Sequence, residues 1–175
     1  MRDLLQEHKT VYCKTFEETY CKKFSGALAV ELIRHDLKRA GIPVSPRDVF
    51  IKGVDIEIDL VIPKRGARPK YNLVYRPEDV VAALEVKYRG VFDNQGIDRI
   101  RANFHRIQRS NRQIQCLYVT VTETKGYKGA VYSTKLGYPA YTLYWYSDRT
   151  KEHRASGDWV KLLNRLAQAS GTIAS

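Results

Sequence analysis

The chain has 175 residues, with 30 Lys and Arg against 19 Asp and Glu, a formal net charge of +11. Hydrophobic residues make up 43% and charged residues 28%, enough apolar material to exclude a disordered chain, and no stretch approaches the roughly 20 apolar residues of a membrane-spanning helix. The positive excess points to a polyanionic partner, most often nucleic acid, without separating an enzyme from a passive binder.

The N-terminal MRDLLQEHKT lacks the apolar run of a signal peptide. Cys13, Cys21 and Cys116 form no CxxC pair, so neither a disulfide framework nor a structural zinc site is expected, and the expected compartment is the reducing cytoplasm. A first helix is expected with Ser25 as its cap, Phe24, Leu28 and Leu32 at fourfold spacing, and Gly41 and Pro43 at its end. VFIKGVDIEIDLVIP then alternates as a strand pair turning near Gly53. Ile56, Ile58, Leu60 and Ile62 fall on one face, and Asp55, Glu57 and Asp59 on the other.

Lys64 to Lys70 reads as a basic loop, and VVAALEVKY as the next strand. The stretch from Asn94 to Asn111 is a helix with Ile97, Ile100, Phe104 and Ile107 on one stripe. IQCLYVTV is a strand, Lys125 to Pro139 a Tyr- and Gly-rich connection, YTLYWY a further strand, and Gly157 to Ala169 a closing helix. The expected class is α/β: one mixed sheet of four to five strands with helices packed on it. A single domain is expected, with a core over 24–122 and a C-terminal strand and helix extension over 123–175.

Two strands carry charge where sheet core is expected. Asp59 lies inside IEIDLVI, and Glu85 and Lys87 inside AALEVKY. Residues two apart on a strand share a face, about 6.6 Å apart at roughly 3.3 Å per residue. Glu85 and Lys87 therefore point together, and Val86 turns the other way. Charges on nearly buried strands are costly unless paired or bound to a metal. Two adjacent carboxylates suit a hard cation such as Mg²⁺, which polarises a phosphoryl oxygen and lowers the pKa of a bound water. A nearby ammonium can orient that water or stabilise charge on the phosphate. The same residues admit a plainer reading, in which Lys87 makes salt bridges with Glu85 or Asp59 on a solvated face.

The pattern resembles the PD-(D/E)XK nuclease superfamily, with its restriction-endonuclease-like fold and αβββαβ core. The resemblance rests on Asp59 in IEIDLVI, on Glu85-Val86-Lys87 in ALEVK, and on their order along the chain. RPEDVVAALEVKYRG also resembles an uncharacterised branch of nuclease-like proteins with PEDVxxxxEVK wording, which brings no known substrate. The resemblance implies a Mg²⁺-dependent endonuclease (Mn²⁺ can substitute) acting on duplex or branched DNA and leaving a 5′-phosphate and a 3′-hydroxyl. Asp59, Glu85 and the Val86 carbonyl would hold the metal, and Lys87 would assist the attacking water. Glu31, on the first helix, matches by location an acid that many members add. Gln95 matches a supporting Gln of some relatives. The sequence departs from the pattern in having Ile58 before Asp59 in place of Pro, and in the long gap to Glu85, which implies an insertion, YNLVYRPED. A single domain cutting two strands suggests a homodimer. A binding module of the same fold without catalysis is the alternative.

Further candidates are less specific. Glu57 could be a third ligand or a solvated carboxylate, and Asp55 lies nearer the turn. Lys64, Arg65, Arg68 and Lys70 of the basic loop, and Arg99, Arg106, Arg109 and Arg112 of the helix, could contact phosphates or simply face water. Tyr127, Tyr132, Tyr138 and Tyr141 are expected to pack rather than to stack on bases. His8, His35, His105 and His153 show no metal-ligand spacing.

Overall fold

The computed structural model describes residues 18–90, 93–124, 129–147, 149–150 and 152–171. Helix α1 (Glu18–Arg39) is followed by strands β1 (Phe50–Ile51), β2 (Leu60–Pro63), β3 (Val74–Tyr75) and β4 (Val80–Lys87). Helix α2 (Asn94–Ser110), strand β5 (Gln115–Thr124), helix α3 (Gly129–Leu136), strands β6 (Ala140–Ser147) and β7 (Glu152–Ala155), and helix α4 (Asp158–Ser170) follow. Five strands form one sheet in the order β2-β4-β5-β6-β7. Its centre, β4-β5-β6, is parallel, and both flanking pairs are antiparallel. The expected mixed sheet flanked by helices is what forms.

Each face of the sheet has its own core. On one side Leu60, Ile62, Leu84, Val86, Leu117, Val119 and Val121 pack with Ile33 and Leu37 of α1 and with Leu162 and Leu166 of α4. On the other, Val61, Ala83 and Tyr118 pack with Ile97, Ile100, Phe104 and Ile107, the stripe expected of α2. Asp93 caps α2 by accepting a hydrogen bond from Gly96 N–H at 2.7 Å. Arg101 donates to the carbonyls of Lys135 and Leu136 at the end of α3, so its guanidinium docks one helix on another and is not left free for a phosphate.

Several local expectations are corrected. Helix α1 spans Glu18–Arg39 among the described residues, which puts Ser25 inside it and not at its cap. The supposed connection contains α3, and an edge strand, β7, precedes α4. The alternation over 56–62 also breaks. Ile58 joins the core on the α2 side whereas Leu60 and Ile62 join the opposite core, because the chain bends at Asp59. The turn near Gly53 is present (φ 82), and Val49 and Ile58 are bridged antiparallel across it. Residues 45–49 thereby line the outer edge of β2. Ser45 N–H donates to the Val61 carbonyl at 3.0 Å, and Asp48 N–H donates to the Asp59 carbonyl at 3.2 Å. Covering the sheet edge in this way removes a row of unpaired backbone groups.

Candidate active site

Strands β2 and β4 run antiparallel with Leu60 opposite Leu84. One step beyond that pair brings Asp59 abreast of Glu85, so two residues far apart in sequence become neighbours through register. Asp59 Oδ2 accepts a hydrogen bond from Val86 N–H at 2.6 Å, so the acid is tied to the middle residue of the Glu-x-Lys segment. Lys87 Nζ lies 2.5 Å from Glu85 Oε1 and 3.6 Å from Asp59 Oδ2. It also donates to the Val86 carbonyl at 3.2 Å. The three side chains are 18–28% exposed, which is neither the dry core nor a freely solvated face.

The electrostatics follow from that partial burial. Asp59 is pushed up to about 6, first by burial and then by the neighbouring charges of Glu85 and Asp48. Lys87 and the Val86 N–H oppose the rise. Burial pulls the Lys87 ammonium down, but Glu85 and Asp59 outweigh it, and the net shift is upward. Lys87 therefore stays charged at neutral pH.

The ammonium gathers three oxygens: two carboxylates and one carbonyl. All are hard donors, of the kind that suits Mg²⁺ or Mn²⁺. Among the described residues no group of three or more His, Cys, Asp and Glu side chains comes together as a metal site. A cation here would thus be held by Asp59, Glu85 and the Val86 carbonyl, with waters completing its shell. Glu31 is engaged elsewhere, accepting from Arg34 at 2.7 and 3.0 Å. Glu57 is exposed, and Gln95 is exposed in the first turn of α2.

The basic candidates fall in two places. The Lys64–Lys70 loop leaves β2 past Pro63, which pairs with Val80 at the start of β4, so it lies at the far end of these strands from Asp59. There Arg65 and Lys38 line a groove of about 520 Å³ with Pro43 and Tyr75. Arg68 is exposed, and Lys70 lies over the Tyr71 ring at 4.9 Å. Arg99, Arg106, Arg109 and Arg112 are exposed. Arg106 and Arg109 line a groove of about 390 Å³ with Gly53, Val54 and Asp55, and Arg106 lies 3.6 Å from Asp55.

Among the other candidates, Tyr132 is 1% exposed and Tyr141 9%. Tyr138 donates to Gln108 at 3.0 Å and packs edge-on against Phe104. His35 meets Asp36 at 3.2 Å, and His105 meets the Tyr138 hydroxyl at 3.3 Å. Tyr127, His8, Cys13 and the side chains of Cys21 and His153 lie outside the described residues.

Sequence reasoning missed two acids. Asp48, at φ 57, sits beside Asp59 and pairs with Arg47 at 2.8 Å. Nothing in the PRD wording marks it, because its proximity comes from the paired edge of β2. Glu123 is buried near the end of β5. Its carboxyl is raised by burial, against the Gly90 N–H, the Tyr132 hydroxyl and the Arg89 charge. A Glu following IQCLYVTVT was the signal that could have found it.

The sequence matches no family model and no curated protein. Solved structures do match. NucC of P. aeruginosa ATCC27853, in its cAAA-bound form, superposes with a TM-score of 0.61 at 14% identity, over 97% of this chain and 92% of that one. NucC of E. coli MS115-1, also cAAA-bound, gives 0.62 at 14% identity, over 98% and 88%. The fold is restriction-endonuclease-like. The likeness extends over nearly the whole chain, so β6, β7 and α4 are included in it. At this identity the likeness concerns the fold alone. Among the described residues no helix is long and apolar enough to cross a membrane.

Proposed function

We infer that the chain is a Mg²⁺-dependent deoxyribonuclease that hydrolyses phosphodiester bonds. The observation that carries this is the meeting of Asp59, Glu85 and Lys87 across two antiparallel strands, at 2.5 and 3.6 Å from one ammonium. A solvated salt bridge would need no half-buried acid. Here Asp59 is pushed up to about 6 chiefly by burial, an arrangement unfavourable to folding and suited to taking up a cation.

In the proposed reaction, Asp59, Glu85 and the Val86 carbonyl would hold the metal. When bound, the metal supplies Lewis acidity and a more acidic water. Lys87 keeps its proton, orients the attacking water and stabilises the charge that grows on the phosphate. Water adds to phosphorus, the bond to the 3′-oxygen breaks, and that oxygen leaves with a proton. The products are a 5′-phosphate and a 3′-hydroxyl. Arg99, Arg106 and Arg109, with Lys64, Arg65, Arg68 and Lys70 at the far end of the strands, would meet the phosphate backbone. A homodimer would place two such sites on two strands.

The test is metal-dependent cleavage of duplex, branched, flapped and single-stranded DNA and of RNA, with Lys87→Ala beside the wild type. The expected result is cleavage in Mg²⁺ or Mn²⁺, none in EDTA, and none by Lys87→Ala, which still binds DNA. Wild type that cleaves none of them overturns the reading in favour of a binding module. Sedimentation on DNA tests the dimer, and a monomer would refute it. Because the two NucC structures named above carry cAAA, that nucleotide is the first small ligand to add to the assay.

A further inference from the structure

Glu123, 2% exposed, is the only charged side chain buried among the described residues. It follows Thr120 and Thr122 on β5, where polar residues replace apolar ones. Its Oε1 accepts hydrogen bonds from Gly90 N–H and from the Tyr132 hydroxyl, the latter at 2.9 Å. The preceding residue makes a second tie, with Thr122 N–H donating to the Tyr88 carbonyl at 2.9 Å. Residues 88–90, the chain leaving β4 just after Lys87, are thus held from two consecutive positions of β5.

The clasp joins β5 to the end of β4, the strand that carries Glu85 and Lys87 of the candidate active site. Glu85 pairs in register with Tyr118, and Lys87 with Thr120. The Tyr132 ring, which carries the second donor of the clasp, lies 5.3 Å from that of Tyr118. There is no room for slack. A Cβ at Gly90 would overlap the Tyr132 phenol and fall 2.6 Å from Glu123 Oε1. A buried carboxylate is costly to desolvate, and well-packed apolar residues commonly serve the fold as well or better. Stability alone does not account for an acid here.

We propose that Glu123 is a positioning residue for the Glu-x-Lys strand. Through the Gly90 amide and the Tyr132 hydroxyl it fixes the exit of β4, and so holds Glu85 and Lys87 where they meet Asp59. The proposal rests on the active-site reading above. It assigns Glu123 no contact with substrate or metal. Its action passes through the backbone from Gly90 to Lys87.

Three variants test it: Glu123→Leu, which removes the acceptor, Glu123→Gln, which keeps one, and Tyr132→Phe, which removes one donor. In Glu123→Leu the kcat of cleavage should fall about 10- to 100-fold at unchanged KM and DNA affinity. Magnesium affinity, measured by calorimetry on the uncleaved protein, should fall about tenfold, as for other groups that orient metal ligands. Exchange of the Gly90 amide should accelerate. Glu123→Gln should stay within about threefold of wild type in each measurement, because the acceptor geometry is restored. Tyr132→Phe should fall between them, and it stands in should Glu123→Leu fail to fold. A folded Glu123→Leu with wild-type kcat and magnesium affinity overturns the proposal, as does a Glu123→Gln no better than Glu123→Leu. Wild type that binds Mg²⁺ yet cleaves nothing defeats the nuclease reading alone, and the calorimetric comparison then decides on the clasp. Wild type that binds no Mg²⁺ defeats both.

Discussion

Asp59→Asn should make the metal-free protein more stable while abolishing cleavage. The Asp59 carboxyl rises from 3.8 to about 6 on folding, which corresponds to about 3 kcal/mol in favour of its protonated form, at about 1.4 kcal/mol per unit. The sign follows from linkage. The folded state binds this proton more tightly than the unfolded chain does. Stability is therefore full below the unfolded value and declines as pH rises through the folded one, with the loss complete somewhat above 6. Asn stays neutral throughout, and its carbonyl can still accept the Val86 N–H. In EDTA the two proteins should match near about pH 4, and the variant should gain about 1–3 kcal/mol by about pH 7.5. Urea unfolding across that range reads the difference directly. Mg²⁺ at about a thousandfold excess over Kd should reverse the order, since only the wild type gains, by about 4.1 kcal/mol. The reasoning is refuted if the wild type in EDTA is as stable as the variant at the higher pH, or if the difference does not change with pH.

Other outcomes follow from the same geometry. Removing Arg106 or Arg109 should lower the slope of log affinity for DNA against log salt by about 0.9 for each phosphate no longer neutralised, while the rate at saturating DNA is unchanged. Equal slopes for variant and wild type would remove that residue from the interface. Gly90→Ala should destabilise the protein by about 1–3 kcal/mol through overpacking against Tyr132, and adding Tyr132→Ala should recover part of that loss. A double-mutant cycle with no coupling would show the clash to be absent. Phe104, 1% exposed and edge-on to Tyr138 at 4.9 Å, should cost about 3–5 kcal/mol when cut to Ala. A loss below about 1 kcal/mol, as for a surface residue, would contradict its place in the core.

The sequence was most legible where period and chemistry agreed. The α2 stripe of Ile97, Ile100, Phe104 and Ile107 has the helical repeat and is buried throughout. The charges in IEIDLVI and ALEVK stood out because apolar residues flank them, and the structure places both carboxylates within reach of the Lys87 ammonium. What was hidden depends on tertiary placement. Asp48 reaches Asp59 only because residues 45–49 pair along the edge of β2. Helix α3 opens on a Gly in the short GAVYSTKL, with only Tyr132 and Leu136 anchored in the core. Strand β7 reads EHRA and has no apolar alternation because it is an edge. The bend at Asp59 redirected Ile58, which strict alternation cannot anticipate.

The register that sets Asp59 one step past the Leu60–Leu84 pair also determines which changes of chain length this protein can absorb. Residues added in the turn around Gly66 only lengthen a connection, at a loop-closure cost that grows slowly with length. Both carboxylates keep their places. One residue added between Leu84 and Glu85 turns every later side chain of β4 to the opposite face, sending the carboxylate and the ammonium toward α1 and α4 and leaving Asp59 alone. Natural variation in length should therefore gather between β2 and β4 and be missing from within β4.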